Sequence, residues 1–300
     1  MGEQTLDFEG LERAISTKNT IVAESLLPQL DQANAGWKAN KTKPDGQHNQ
    51  TIVKLTYDAY AKGLEKVADF MLYNLVIDFN AKATEDSMVL LHILSTSDRY
   101  KAQAEFALKN GADMFAENRH KISPIHVSLQ KGALEIFTLY YQKDRKIIDS
   151  YANSMDEPLL LFAVASRKTP SIRLVADLMK KDGIELSHKI NPFRRNSMHI
   201  VCYATTQTTE FPTAFPTAAL KDAARPNQKS EMEITKEIIS ILSQDKHDFR
   251  RMLDAKDNRN KKPEDACKFF GNHSTLLHIE SVRKTYGINK KKFVPERIKS

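Results

Sequence analysis

A register that returns about every 34 residues restricts this chain more than any other feature of its sequence. Ser123-Pro124-Ile125-His126 opens an apolar stretch, Gly132 follows it, and a second stretch carries Leu134, Ile136, Phe137, Leu139 and Tyr140. Leu90-Leu91-His92 lies 34 residues before His126, and Tyr57 holds the same place before that, with Ala59, Tyr60 and Gly63 in step. Downstream, Leu161 takes the histidine place within Pro158 to Ala163, His199 takes it within Asn196 to Cys202, and Asp265 takes it behind Pro263. From Tyr57 to His199 the steps are 35, 34, 35 and 38 residues, and the next is 66, which requires an insertion.

Each unit reads as two short antiparallel helices with one apolar side. A pair of about 30 residues cannot bury enough surface alone to offset its ordering entropy. Stacked pairs share a continuous core, so the spacing predicts an array and not a globule around a sheet. Proline suits the first helical turn, where its φ is already set. A preceding serine can satisfy free N–H groups there. Small residues at Ala59, Ala163, Cys202 and Cys267 let neighbouring helices approach closely.

The pattern resembles the ankyrin repeat. Asn110-Gly111-Ala112-Asp113 matches the lead into a finger, Ser123-Pro124-Ile125-His126 matches the T-P-L-H opening of an inner helix, and Gly132 matches the turn to the outer helix. Ile77 to Lys82 and Leu253 to Asn260 resemble further fingers. The resemblance implies an all-α solenoid of about seven stacked helix pairs over residues 1–287, with Leu11 to Leu27 as a capping pair around Asn19. It also implies that His92, His126 and His199 hold the neighbouring turn and do not bind metal. One departure is consistent: Lys121, Arg194 and Asn260 stand where the finger usually has glycine. Lysine and arginine tolerate positive φ poorly, so irregular fingers are expected.

Two interruptions are expected. Residues 31–50 are polar, contain Gly36, Trp37, Pro44 and Gly46, and read as an extended loop. Residues 206–230 read as a loop inserted in the sixth pair, before an outer helix over Glu231 to Leu242. This loop contains the tandem Phe211-Pro-Thr-Ala-Phe215-Pro-Thr-Ala.

Composition narrows the function. The ten glycines include no G-x-G-x-x-G or P-loop spacing, which weighs against a nucleotide site. Two cysteines do not make a disulfide framework, so a reducing compartment is expected. No apolar leader core opens the chain, and the longest strongly apolar run, Leu159 to Ala165, is far too short to span a membrane. The formal charge of +7 is concentrated at the end. Seven basic residues and Glu296 give Ser281 to Ser300 a net +6, which leaves +1 for everything before it. A basic face across the whole molecule is therefore not predicted.

No metal motif or nucleophile–base constellation stands out, and the reading implies no cofactor, no small-molecule substrate and no nucleic-acid partner. What remains is a non-enzymatic, monomeric protein-interaction module. The resemblance places its working surface on the concave side, made of fingers and inner helices. Candidate contacts are Arg119 and His120, Phe193, Arg194 and Arg195, Asn258 and Arg259, with Phe211 and Phe215 of the inserted loop. Eroded repeats, scarce glycine and long insertions are similar in style to effectors that intracellular bacteria deliver into host cells. That style implies a cytoplasmic scaffold or a recruiter of a host protein. Two alternatives stay open: an enzyme with a degenerate thiol site near Cys202 and His199, and an anionic-surface binder acting through the basic tail at residues 288–300.

Overall fold

The computed structural model describes residues 8–39, 46–204 and 230–288. Among these, every regular element is helical, and the only ladder contact is an isolated bridge between Ala152 and Pro158. The chain divides into two compact units, Met1–Ile147 and Ile148–Ser300.

The first unit begins with α1 (Phe8–Ser16) and α2 (Thr20–Ala39). Leu11, Ala14 and Ile15 fall on one side of α1 and are buried. Asn19 opens α2, its Oδ1 accepting the Val22 N–H at 3.2 Å. Next come α3 (Gly46–Lys62) and α4 (Glu65–Asn74), joined at Gly63, whose φ of +79° suits glycine. The third pair is α5 (Leu90–Leu94) with α6 (Lys101–Lys109), and the fourth is α7 (Pro124–Lys131) with α8 (Leu134–Lys143). A four-residue helix, α9 (Ile147–Ser150), follows. The inner helices α5 and α7 are buried almost all round. In α7, Pro124 to Leu129 are all buried.

The second unit holds α10 (Leu159–Ser166) with α11 (Thr169–Lys181) and α12 (Ser197–Ala204) with α13 (Glu231–Leu242). The next helix, α14 (Lys246–Asp254), was not legible in the repeat pattern. The last pair is α15 (Pro263–Phe269) with α16 (His273–Thr285). Helix α13 occupies the residues expected for the outer helix, and Ser230 caps it, exchanging bonds with Glu233. Cys202 in α12 and Cys267 in α15 are both fully buried, which explains their small size.

Seven helix pairs are thus described, as the register predicts. The polar loop expected at 31–50 is a correction: α2 continues through Ala39 and α3 starts at Gly46. Polarity alone does not break a helix. Ala33, Ala35 and Ala39 favour one, and the single Gly36 costs only about 1 kcal/mol. The loop expected at 206–230 lies outside the described residues, apart from Ser230, as does the basic tail apart from Ile288.

Within each unit, pairs are tied to neighbours by carboxylates that cap elements of the adjoining pair. Asp98 accepts the N–H groups of Leu134, Glu135 and Ile136 at 2.9–3.2 Å, serving the free N-terminus of α8 from the pair before it. Asp248 of α14 accepts from Leu186 at 2.6 Å and Ser187 at 2.9 Å. Arg167 has φ +57°, at the place where Gly132 turns the fourth pair. Its guanidinium compensates by binding Thr235 Oγ1 at 2.8 Å and Glu231 Oε2 at 2.8 Å on α13.

Replacing Asp98 with Ala should destabilise the chain by about 1–2 kcal/mol. Urea unfolding should show a lower midpoint with an unchanged slope, and an unmoved midpoint would mean that this cross-pair cap contributes nothing.

Candidate functional site

Between the helix pairs the chain makes hairpins, and four of them are built alike. Asn118, Asn153, Asn191 and Asp257 each use Oδ1 to accept two backbone N–H groups. The donors are His120 and Ile122, Met155 and Glu157, Phe193 and Arg195, and Arg259 and Lys261, at 2.9–3.1 Å. The backbone N–H of the same four residues donates to the carbonyls of Ile122, Glu157, Arg195 and Lys261. Three residues after each clamp comes the positive-φ position: Lys121 at +62°, Asp156 at +55°, Arg194 at +57° and Asn260 at +60°. A fifth turn, with Ser87 at φ +60°, uses Thr84 Oγ1 to accept from Met88.

The fingers are therefore regular, contrary to the expectation drawn from missing glycines. An L residue in the left-handed region costs about 1–2 kcal/mol, and a clamp that satisfies two N–H groups offsets it. The signal lay in the sequence as an Asn or Asp three residues before each odd position.

Histidines fix the fingers to the helices. His92 Nδ1 accepts the Val89 N–H at 3.1 Å, and Nε2 bonds to the Ile122 carbonyl of the next finger at 3.0 Å. His199 Nε2 likewise reaches the Lys261 carbonyl at 3.1 Å. His126 Nδ1 accepts the Ser123 N–H at 3.1 Å. Burial holds all three imidazoles below their ordinary range, His126 down to about 3, so they remain neutral hydrogen-bonding parts of the frame. Fingers also bond to one another: Arg119 N–H to the Asp86 carbonyl, and Asn258 N–H to the Phe193 carbonyl, both at 2.9 Å.

This frame presents most of the expected contact residues to solvent. Arg119 and His120 are exposed at their tip, with Arg119 3.2 Å and His120 3.9 Å from Asp86. Arg194, Asn258 and Arg259 are exposed, and Phe193 is half-buried. Arg195 is the correction. It is only 6% exposed, with its guanidinium over the Tyr203 ring at 4.4 Å and near the Phe193 ring at 5.2 Å. Its Nε lies 3.8 Å from the Asp257 carboxylate. Arg195 is thus a packing element under the surface. Phe211 and Phe215 lie outside the described residues.

Nearby, Asn191 Nδ2 donates to the buried Glu157 at 3.2 Å. Burial pushes this carboxyl up to about 7, against the opposing pull of Asn191 and the Arg195 charge. Burial also pushes the Cys202 thiol well up, beside Cys267. A protonated thiol closed to solvent is neither a thiolate nor within reach of a substrate. Among the described residues, no cluster of three or more His, Cys, Asp or Glu could hold a metal ion, and no helix is long and apolar enough to cross a membrane.

Solved structures share this fold. The chain is similar to the ankyrin repeat domain of Bcl-3, a member of the IkappaB protein family, at 12% identity and a TM-score of 0.50, covering 90% of this chain and 97% of that one. The fold is an ankyrin-repeat fold. An ankyrin repeat domain from Acinetobacter baumannii AYE matches at 11% identity and a TM-score of 0.50, over 76% of this chain and 96% of its own. A chain from the complex of a predatory endopeptidase of Bdellovibrio bacteriovorus with an immunity protein matches at 13% identity and a TM-score of 0.51, over 75% and 96%. No family model and no curated protein matches the sequence.

Two measurements test this account of the ankyrin fingers. Lys121→Gly and Arg194→Gly should each raise stability by about 0.5–1 kcal/mol in urea unfolding, because glycine removes the left-handed strain. A loss of stability would show that these side chains stabilise their turns. Glu157 ionises near 4.5 when unfolded and about 7 when folded, so the native state binds the additional proton in that window. Wild-type stability should therefore fall, relative to Glu157→Gln, as pH rises from about 4.5 to 7, by on the order of 1–3 kcal/mol. A pH-independent difference between the two proteins would refute the raised carboxyl.

Proposed function

We propose that the chain is a non-catalytic protein-binding module that recruits a partner through its fingers and inner helices. One observation carries this reading: four like-built hairpins, each fixed by its own Asn or Asp clamp, hold exposed side chains such as Arg119, His120, Arg194 and Asn258 at their tips. Such tips lose little freedom when they meet a partner, so few contacts are needed to offset the cost of association. The relatives with this fold are consistent with the reading: one is an ankyrin repeat domain of an IkappaB family member, and one comes from a complex with an immunity protein. In the same proposal the module works as a monomer in the cytoplasm of a cell, as a scaffold or as an effector that recruits a host protein. A stable complex of this kind buries about 1,200–2,000 Å² in total.

The test is affinity capture with cross-linking, using the wild type and a variant carrying Arg119→Ala, His120→Ala, Arg194→Ala and Asn258→Ala. All four side chains are exposed, so far-UV circular dichroism should be unchanged. Recovery of the cross-linked partner should fall by about tenfold, and equal recovery would rule out the finger surface.

A further inference from the structure

The fingers and inner helices of the second unit carry a line of rings that points to a particular kind of partner. Arg195 lies between the Phe193 and Tyr203 rings. Tyr203 meets Phe270 at 5.1 Å and 63°, and Phe270 meets Phe269 at 4.9 Å and 88°. These side chains come from the finger before α12, from α12 itself and from the end of α15. One end of the line is locked by Asp257, which takes the Arg195 ion pair and the Tyr203 hydroxyl at 3.5 Å. At the other end Phe269 is 82% exposed. A ring left that open beside packed rings is an anchor point of the sort enriched at binding hot spots.

Cations accompany the line: Arg194 follows Phe193, Lys268 precedes Phe269, Arg259 is close enough to act on Tyr203, and Lys256 and Lys261 belong to the Asp257 hairpin. Arg194, Lys256, Arg259, Lys261 and Lys268 are all exposed, and among the described residues none has an acidic partner within 4 Å. The Asp257 carboxylate next to them is buried and already engaged. The surface thus joins one open apolar ring to unneutralised positive charge.

We infer that this line docks an acidic segment of a partner protein, with an apolar or aromatic side chain seated on Phe269 and carboxylates facing the cations. The inference rests on the protein-binding reading above. Charge complementarity selects an acidic chain, and the exposed ring selects one that also carries an apolar anchor. The ring geometry favours a peptide over nucleic acid. Successive bases stack on a series of open ring faces, whereas here the rings meet edge to face and Phe269 is the one widely exposed ring of the line.

The experiment selects a displayed random-peptide library on the intact chain, then measures the enriched peptides by fluorescence anisotropy. Three variants with changes at exposed sites are compared with wild type: Phe269→Ala, Arg259→Glu with Lys268→Glu, and Arg119→Ala with His120→Ala. Enriched peptides should pair acidic residues with an aromatic or large aliphatic one. Phe269→Ala and the charge reversal should each weaken binding by about tenfold, the charge effect should shrink at high salt, and the Arg119 and His120 variant should bind as wild type. Peptides that are neutral or basic, or no enrichment at all, would overturn the inference. Ligands sensitive only to Arg119→Ala with His120→Ala would overturn this site and leave the finger reading standing. Ligands indifferent to every variant would remove both. An oligothymidylate probe that binds tightly and loses affinity on Phe269→Ala would assign the line to nucleic acid instead.

Discussion

The hydrogen bond from a buried histidine to the next finger is the contact on which the arrangement turns. His92 and His199 each sit at the start of an inner helix and hold the carbonyl that ends the following hairpin. The bond does two things at once. It gives a second donor to a carbonyl that already closes its own hairpin, and it sets the distance from one pair to the next. Because burial keeps the imidazoles neutral, the bond also persists at physiological pH. Once that spacing is set, the Asn or Asp clamps shape the hairpin, and the tips follow.

The clamps explain how the fingers work without their usual glycines. Lys121, Asp156 and Arg194 adopt a backbone region that L residues avoid. Each is held there because the residues on either side of it donate their N–H groups to one side-chain oxygen, and in return a polar side chain stands at the tip where glycine would offer nothing. The strained positions are thus also the positions that face solvent. The same trade occurs at Arg167, whose strained turn places a guanidinium against α13.

Much of this was legible in the sequence, because apolar spacing, proline and glycine report directly on helix pairs. The seven pairs and the helix over Glu231 to Leu242 emerged from register alone. Other features were not legible, for identifiable reasons. Residues 31–39 looked like loop because they are polar, yet helix formation depends on backbone preference and not on polarity. Helix α14 escaped the repeat pattern because it is additional to it. Arg195 looked like a surface contact because arginine usually is one, and nothing local announces that Tyr203 and Asp257 will close over it. Burial of a charge is decided by residues far along the chain, and the ring line of Tyr203, Phe270 and Phe269 was invisible for the same reason.

The two histidine bonds differ in one respect that bears on how the molecule assembles. His92 reaches a carbonyl 30 residues away, whereas His199 reaches one 62 residues away. Doubling the chain that must be closed costs only about 0.6 kcal/mol in loop entropy, so the native state tolerates it well. Kinetically the effect is larger, because contacts between sequence-distant residues are the slow ones to form. Folding should therefore spread from the tightly spaced early hairpins and close the sixth junction late, although once formed it holds about as well as the others.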